Sequence, residues 1–239
     1  MLAVLYGVSF LLTLEVSWPR VWSGLGHLGG FLGGFLKPDF VSRGADIVEG
    51  MMESLAMTLV STVLGFLAAV PLGIFAAKNL VAPSWLSRTL LSLLRAFPEL
   101  IIAVFMVRLF GNGTFAGTVT LWLGTVGFLG KLLADAIEEC PPERLEALRA
   151  TGAGFWQVVC YAVLPSVWPR LAGLTLYRLD INFRDAAVLG IVGAGGIGDT
   201  LDTAIRRYEY HTATAILYLI IALVFLAEYL SSHIRRRLL

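Results

Sequence analysis

The chain has 239 residues, of which 57% are hydrophobic and only 15% are charged, and its mean hydropathy is +0.79. Soluble domains carry a charge on roughly a quarter of their residues, so this composition excludes an ordinary water-soluble domain. The net charge of +1 gives no indication of a nucleic-acid partner.

Residues 1–53 are predicted to form a first membrane helix followed by an outer segment. The stretch 1–16 is apolar and has neither a basic start nor a small-x-small cleavage site before Trp18. We therefore favour an uncleaved helix over a cleaved signal peptide. Residues 18–53 mix Gly, Trp and Pro and are expected to lie along the outer membrane surface.

Residues 54–239 are predicted to contain five further membrane helices, which gives an all-α fold with about six crossings. A helix needs about 20 apolar residues to cross a bilayer. Three stretches are uncharged, namely residues 54–77, 109–130 and 212–227, and two weaker spans cover residues 86–107 and 171–192. The basic tail at residues 235–237 places the loops near residues 78 and 144 in the cytoplasm.

One segment of the fourth predicted span is similar to a phosphate-binding loop but lacks the chemistry of such a loop. Gly127, Gly130 and Lys131 are followed by Leu132, where a phosphate loop needs a Ser or Thr to bind magnesium. We therefore expect no nucleotide site here. If ATP drives this protein, ATP and magnesium must be bound by another polypeptide.

The polar stretch 138–165 is predicted to form a helical hairpin between the fourth and fifth spans. A pair of prolines ends the preceding helix, and residues 143–150 favour a short helix. Gly152 and Gly154 predict a turn, and a second short helix over residues 155–163 is expected to end at the following Leu-Pro pair.

The fifth predicted span carries charges that indicate a polar pathway. At about 100° per residue, Arg178, Asn182 and Asp185 share one helical face, whereas Asp180 and Arg184 stack four residues apart on another. A charged side chain at membrane depth costs at least about 2.5–3.5 kcal/mol and normally faces a polar interior. Mutual neutralisation between helices remains the alternative.

Three charged residues of the third and fourth spans are assigned to the same pathway: Arg95, Glu99 and Lys131. Arg95 and Glu99 flank Pro98, where a loosened helix end would line the inner mouth of a pore. Helix capping explains this pair equally well.

A glycine-rich segment follows the fifth span. Gly193, Gly195, Gly196 and Gly198 fit the G-x-G-x-x-G pattern of dinucleotide-binding folds after the strand-like residues 187–192, but the acidic residue that such folds need about 20 positions later is missing. We expect an outer gate instead, where two copies of the same helix cross closely. A simple helix stop is the alternative.

The hairpin has the spacing of the E-A-A-x3-G-x9-I-x-L-P signature. The matching residues are Glu146, Ala147, Gly152, Leu164 and Pro165. Leu148 replaces the third Ala and Ala162 replaces the Ile. The chain therefore resembles the permease subunits of bacterial ABC importers, and in that family this loop docks into the ATPase subunit.

From about Asp46 onward the chain resembles a narrower group, the permeases for phosphonate, phosphite and hypophosphite. The shared marks are Arg95-Ala-Phe-Pro98-Glu99, Gly127-Phe-Leu-Gly130-Lys131, Ala136-Ile137-Glu138, Tyr177-Arg178, Asn182-Phe183-Arg184 and the run from Val188 to Gly198. The chain departs from the group at the acidic Asp185, where a small hydroxyl residue is usual. It also has no basic cytoplasmic segment before the first helix.

This resemblance implies a type I importer permease in the bacterial inner membrane, with no catalytic residue, metal or cofactor of its own. It implies a permease homodimer, two cytoplasmic ATPase subunits and a periplasmic binding protein, which together import phosphonate, phosphite or a related oxyanion. The alternatives are a permease for another solute, such as methionine or molybdate, and a proton-coupled secondary transporter that uses the buried carboxylates.

Overall fold

The computed structural model describes residues 17–19, 22–23, 26, 33–34 and 37–238. The main helices are α1 Gly44–Ala76, α2 Trp85–Ala96, α3 Glu99–Phe110, α4 Thr114–Glu138, α5 Pro142–Ala150, α6 Phe155–Val158, α7 Leu164–Gly190, α8 Ile197–Arg206 and α9 Tyr210–Leu238, with a π-helical turn Val159–Val163 between α6 and α7. The part of the chain described contains no strand. The predicted all-α fold is confirmed, while the predicted first span, residues 1–16, lies outside the described residues.

Four helical stretches are long and apolar enough to cross a membrane. They are α1, α4, the continuous stretch Phe155–Gly190 and the Tyr210–His233 part of α9, and the bent pair of α2 and α3 can form a fifth crossing. Counted with the bent pair, the five crossings agree with the five spans expected for residues 54–239. α1 begins at Gly44, before the uncharged stretch, because its first turns carry acidic groups at the outer end.

The span predicted over residues 86–107 is sharply bent at Pro98, where α2 and α3 meet at 90°. Pro98 disfavours a helical conformation at the residue before it, and Phe97 is accordingly extended with ψ 132°. Glu99 thus begins a new helix in the middle of the predicted span.

The predicted start of the next span at residue 109 is wrong. Residues 109–110 end α3, and Gly111 and Gly113 turn the chain with φ values of +86° and +139°. Glycine adopts these angles without a steric penalty, so an uncharged sequence conceals a sharp turn. α4 then continues through Lys131 to Glu138.

The second helix of the predicted hairpin does not end at Leu164-Pro165. The chain runs from α6 through the π-helical turn into α7 as one helical stretch. A proline inside a helix removes one hydrogen-bond donor and crowds the preceding turn, and a π-helical turn accommodates it by widening the helix locally. The hairpin and the fifth span are therefore mechanically continuous.

α1 and α4 run parallel and form the centre of the bundle. Three close approaches keep a constant register along the pair: Gly117 on Met57, Gly65 on Thr125 and Gly73 on Leu133. Small residues at helix contacts let backbones approach closely in lipid. α7 runs antiparallel to α4, since its outer end meets the start of α4 through the Gly113 N–H, which donates to the Gly193 carbonyl at 3.0 Å.

The helix ends divide into two groups, which are called outer and inner here after the predicted topology. At the outer end, Arg43 before α1 pairs with Glu209 before α9 at 3.5 Å. At the inner end, the Lys78 N–H after α1 donates to Glu138 at the end of α4 at 2.8 Å. The hairpin lies at this inner end.

Candidate functional site

The predicted hairpin between α4 and α7 is present, and it has one buried and one exposed face. Leu145 of α5 is 4% exposed and packs in a cluster with Ile137, Val158 and Val163. The motif residues Glu146, Ala147, Gly152 and Pro165 are exposed, and Leu164 is half-buried. Burial of Leu145 holds the hairpin against the helix bundle and leaves the motif surface free for a partner.

The two departures from the family signature point inward. Leu148 packs partly buried against the hairpin core, and Ala162 is 8% exposed in the same core. Neither substitution therefore changes the exposed motif surface.

Gly152 forms the predicted turn between α5 and α6. Its φ is +81°, and a Cβ at this position would meet nothing within 4 Å. The glycine is required for backbone conformation rather than for close packing.

A short hydrogen-bond relay joins the hairpin to the inner ends of α1 and α4. The Arg149 guanidinium of α5 donates to the Asn79 carbonyl at 3.2 Å. The Asn79 side-chain amide in turn donates to the Ile137 carbonyl at 2.8 Å. Asn79, in the loop after α1, thus connects α5 to α4.

The same inner end fastens α2. Arg88 donates through Nε to the Ala76 carbonyl at 2.9 Å and pairs with the Glu138 carboxylate. Lys131, predicted to line the pathway, pairs with Asp135 one turn further on at 3.2 Å. The Lys131 charge is thus neutralised within α4.

The glycines of the phosphate-loop look-alike lie inside α4 and pack against α2. A Cβ on Gly127 would lie 2.9 Å from the Leu94 Cβ, and one on Gly130 would lie 2.6 Å from Leu91 Cδ2. These residues form a helix contact, not a loop that surrounds phosphate.

A buried ion pair crosses the middle of the bundle. Arg178 of α7 is 4% exposed and pairs through Nη2 with Glu99 Oε1 at 2.5 Å. Its Nε also donates to the Thr125 hydroxyl at 3.2 Å. The Asp185 carboxyl lies beside that of Glu99. The first residue of α3 is therefore joined to the centre of α7.

Asn182 extends this polar cluster to α1. Its side-chain amide donates to the hydroxyls of Thr62 at 2.8 Å and Thr125 at 2.9 Å, and the side chain is fully buried. For Arg178 and Asn182, then, the arrangement matches the alternative in which polar groups join helices. The predicted pair of Asp180 and Arg184 is present at 2.5 Å, with Arg184 half exposed.

Gly124 provides the space for the central ion pair, and the sequence analysis did not identify it. A Cβ at this position would lie 2.7 Å from Arg178 Nη2 and 2.8 Å from Glu99 Cδ. The Thr62 and Thr125 hydroxyls, which accept from Asn182, were likewise not predicted as part of the site. A signal for Thr62 was available, since Thr58, Ser61 and Thr62 place hydroxyls on one face of an otherwise apolar helix.

Arg95 is the charged residue of the predicted pathway that keeps no carboxylate partner among the residues described. Its side chain is exposed, and its guanidinium lies 5.8 Å from the centre of the Phe128 ring. Arg178 lies over the same ring at 5.5 Å. Phe128, also absent from the sequence-based assignment, thus has a guanidinium near it from each of two helices.

The outer glycine segment folds against its own chain. Gly193, Gly195 and Gly196 have φ values between +75° and +87°. The Gly196 N–H donates to Glu53 at 3.0 Å and the Ile197 N–H donates to Ser54 Oγ at 2.9 Å. These acceptors occupy the N-terminus of α8, which a dinucleotide phosphate would need. The residues before the glycines are the end of α7, not a strand.

Comparison with known proteins identifies relatives along most of the chain. Residues 69–239 match the family described as binding-protein-dependent transport system inner membrane component. The chain is 42% identical over 85% of its length to the phosphate-import permease protein PhnE of Mycolicibacterium smegmatis, of which it spans only 39%. It is 36% identical over 98% of its length to the phosphite transport system permease protein PtxC of Stutzerimonas stutzeri, of which it spans 87%.

The fold is similar to that of a solved importer. A chain of the MetNI methionine ABC transporter in an inward-facing conformation superposes with a TM-score of 0.70 at 29% identity, covering 83% of this chain and 100% of the other.

Proposed function

The chain belongs to the family of binding-protein-dependent transport system inner membrane components, and from this membership we propose that it is the membrane-spanning subunit of an ATP-driven importer for a phosphorus oxyanion. The resemblance to permeases of the phosphonate and phosphite type, inferred from the hairpin and the accompanying motifs, is confirmed by the relatives. The substrate class rests on those relatives, which carry names for phosphate and phosphite transport.

The exposed face of the hairpin is the observation that supports coupling to a separate ATPase. Glu146 and Ala147 lie on the solvent side of α5, whose other side is buried, and Gly152 is exposed in the turn that follows. This is the arrangement of a docking surface, because the buried side fixes its position and the open side remains available. ATP and magnesium belong to the partner subunit, and this chain contributes no catalytic residue to their chemistry.

Alternating access follows from the continuity of the helices. When ATP draws two ATPase subunits together, the hairpin moves with them. The π-helical turn carries the movement into α7, and the relay through Asn79 carries it to α1 and α4. A rigid-body displacement of these helices opens the pathway to one side and closes it to the other.

Two copies of the chain form the pathway in this proposal, which lies in the bacterial inner membrane with a periplasmic binding protein at the outer end. The pathway is lined by charged residues: Arg95 and Arg184 are exposed, Glu99 and Asp185 are half-buried, and Lys131 lies near the inner mouth. Arg178 and Asn182 support this lining from behind. The segment Gly193–Gly198 closes the outer end of each copy.

Transport by reconstituted complexes tests the proposal. The chain is purified with its ATPase subunit and placed in vesicles with the binding protein, and uptake of labelled phosphite, methylphosphonate, phosphate, methionine and molybdate is measured. ATP-dependent uptake of a phosphorus oxyanion that persists with a protonophore is the expected result. Uptake that needs a proton gradient but no ATP would replace the proposal with a secondary transporter, and uptake of methionine or molybdate alone would replace the substrate class.

A further inference from the structure

We propose that Arg95 and Phe128 form an oxyanion-binding position halfway across the membrane, which the transported anion occupies in passing. The inference rests on the proposed importer function and adds a substrate contact to it. Lys131, Arg178 and Arg184 each pair with a carboxylate, so the position depends on Arg95, for which the described residues provide no such partner.

The depth of Arg95 follows from its packing on α4. A Cβ on Gly127 would lie 3.2 Å from Arg95 Cγ, so the two residues are at the same level. At about 1.5 Å per residue, Gly127 lies about 20 Å from the outer end of α4 and about 17 Å from its inner end. Arg95 is therefore near the middle of the membrane.

The bend at Pro98 leaves Arg95 without a counter-ion. Arg95 ends α2 and Glu99 begins α3, and the two helices diverge by 90°. The Glu99 carboxylate is directed to Arg178, with which it pairs at 2.5 Å. A straight helix would have placed Glu99 one turn above Arg95, in reach of it.

An exposed guanidinium at this depth cannot face lipid, because the hydrocarbon offers neither water nor an anion to offset its charge. Arg178, Arg184 and Lys131 each have a carboxylate partner in the described chain. Among the described residues, the Arg95 guanidinium has the Phe128 ring at 5.8 Å and no paired carboxylate. We therefore place the guanidinium in the aqueous pathway between the two copies, where a passing anion can pair with it.

The geometry of a phosphorus oxyanion matches that of an arginine side chain. Two oxygens of a phosphonate, phosphite or phosphate accept two parallel N–H bonds from one guanidinium. One arginine without further cations holds such an anion weakly, and weak binding permits release.

A cysteine at position 95 that is modified to carry either a positive or a negative charge tests the proposal. Arg95→Cys is made with Cys140→Ser and Cys160→Ser, and the full importer is assayed in vesicles before and after treatment with an aminoethyl or a sulfonatoethyl methanethiosulfonate. We expect Arg95→Cys to lower phosphite and methylphosphonate uptake roughly tenfold or more, the difference that one strong ionic contact makes. The cationic reagent should restore most of the uptake and the anionic reagent none.

Protection by substrate gives a second readout that a purely structural role would not change. Phosphite at millimolar concentration should slow modification of a Ser92→Cys thiol severalfold where Arg95 is retained but not where Arg95→Gln is added, and methionine should slow it in neither. Ser92→Cys is also the matched control for Arg95→Cys, since Ser92 is an exposed neutral residue one turn earlier on α2, and its uptake should equal that of the parent.

Three results would overturn the proposal: parental uptake by Arg95→Gln, equal restoration by both reagents, or a thiol that reacts with neither reagent in an assembled complex. The last result would mean that Arg95 is buried against the second copy. Failure of the importer function is separate, because it appears as absent ATP-driven uptake in the unmodified parent, before any substitution at Arg95.

Discussion

The central ion pair between Glu99 and Arg178 exists because residue 124 has no side chain, and Gly124→Ala tests this directly. The added methyl carbon would lie 2.7 Å from Arg178 Nη2 and 2.8 Å from Glu99 Cδ. These separations are too short for nonbonded atoms, and the Thr125 hydroxyl holds Arg178 from the other side at 3.2 Å. The Glu99 carboxylate must therefore move away from the guanidinium.

The expected loss follows from the burial of the pair. Disrupting one partner of a buried ion pair costs about 3–5 kcal/mol. Because Arg178 is 4% exposed but Glu99 is 24% exposed, solvent compensates part of the loss, and we take the lower end, about 3 kcal/mol. Alanine is favoured over glycine inside a helix by about 1 kcal/mol. The net destabilisation is about 2 kcal/mol, or a Tm lower by about 4–8 °C.

Thermal unfolding of the detergent-solubilised protein, followed by size-exclusion chromatography, measures this change. The control is the same substitution in a Glu99→Ala, Arg178→Ala background, where both side chains that the methyl group would meet are absent. There Gly124→Ala should be neutral or slightly stabilising. An equal decrease in Tm in both backgrounds would show that the glycine serves general helix packing and not the ion pair.

Three further predictions concern the inner end of the molecule. Gly152→Asp places a charged side chain on the open motif surface. It should leave membrane insertion intact, while ATP hydrolysis proceeds without uptake. The control is Gly111→Asp, at an equally open glycine with positive φ at the outer end, which should keep ATP hydrolysis coupled to uptake. Wild-type uptake by the Gly152 variant would remove the hairpin from the coupling path. Asn79→Ala removes the 2.8 Å bond to α4 and should lower stability by only about 1 kcal/mol while uptake per ATP falls severalfold; an unchanged ratio of uptake to ATP hydrolysis would contradict the relay. Burial raises the pKa of the Cys140 thiol and restricts access to it, whereas Cys160 is exposed, so maleimide should label Cys160 faster at pH 7, as peptide mass spectrometry can measure. The difference should narrow as pH rises toward the Cys140 pKa, and equal rates at pH 7 would contradict it.

Local sequence signals predicted the hairpin well, because its geometry is set by nearby residues. Two prolines end α4, and Gly152 adopts the positive φ that the turn requires. The helix end predicted at Leu164-Pro165 is wrong, because a π-helical turn lets the helix continue through the proline. A proline marks a point where hydrogen bonding is disturbed, but packing decides whether the helix stops there.

The charged residues show a similar division. Their presence at membrane depth was evident from composition, and the pair of Asp180 and Arg184 followed from helical spacing. The partner of Glu99 could not be predicted from helical spacing, because Arg178 is distant in sequence. It is brought close only by the 90° bend and by the absence of a side chain at Gly124.

By itself the sequence determined that the chain is a helical membrane protein, which parts of it are apolar enough to lie in lipid, and where a polar hairpin interrupts them. Hydropathy, helical periodicity and backbone restriction at proline and glycine are properties of neighbouring residues, so they can be read along the chain. Only the tertiary structure decided which charges neutralise one another and that Arg95 is exposed, with no carboxylate partner in the part of the chain described. Pairing depends on distances of a few ångströms between helices, and those distances are set by the packing of the whole bundle.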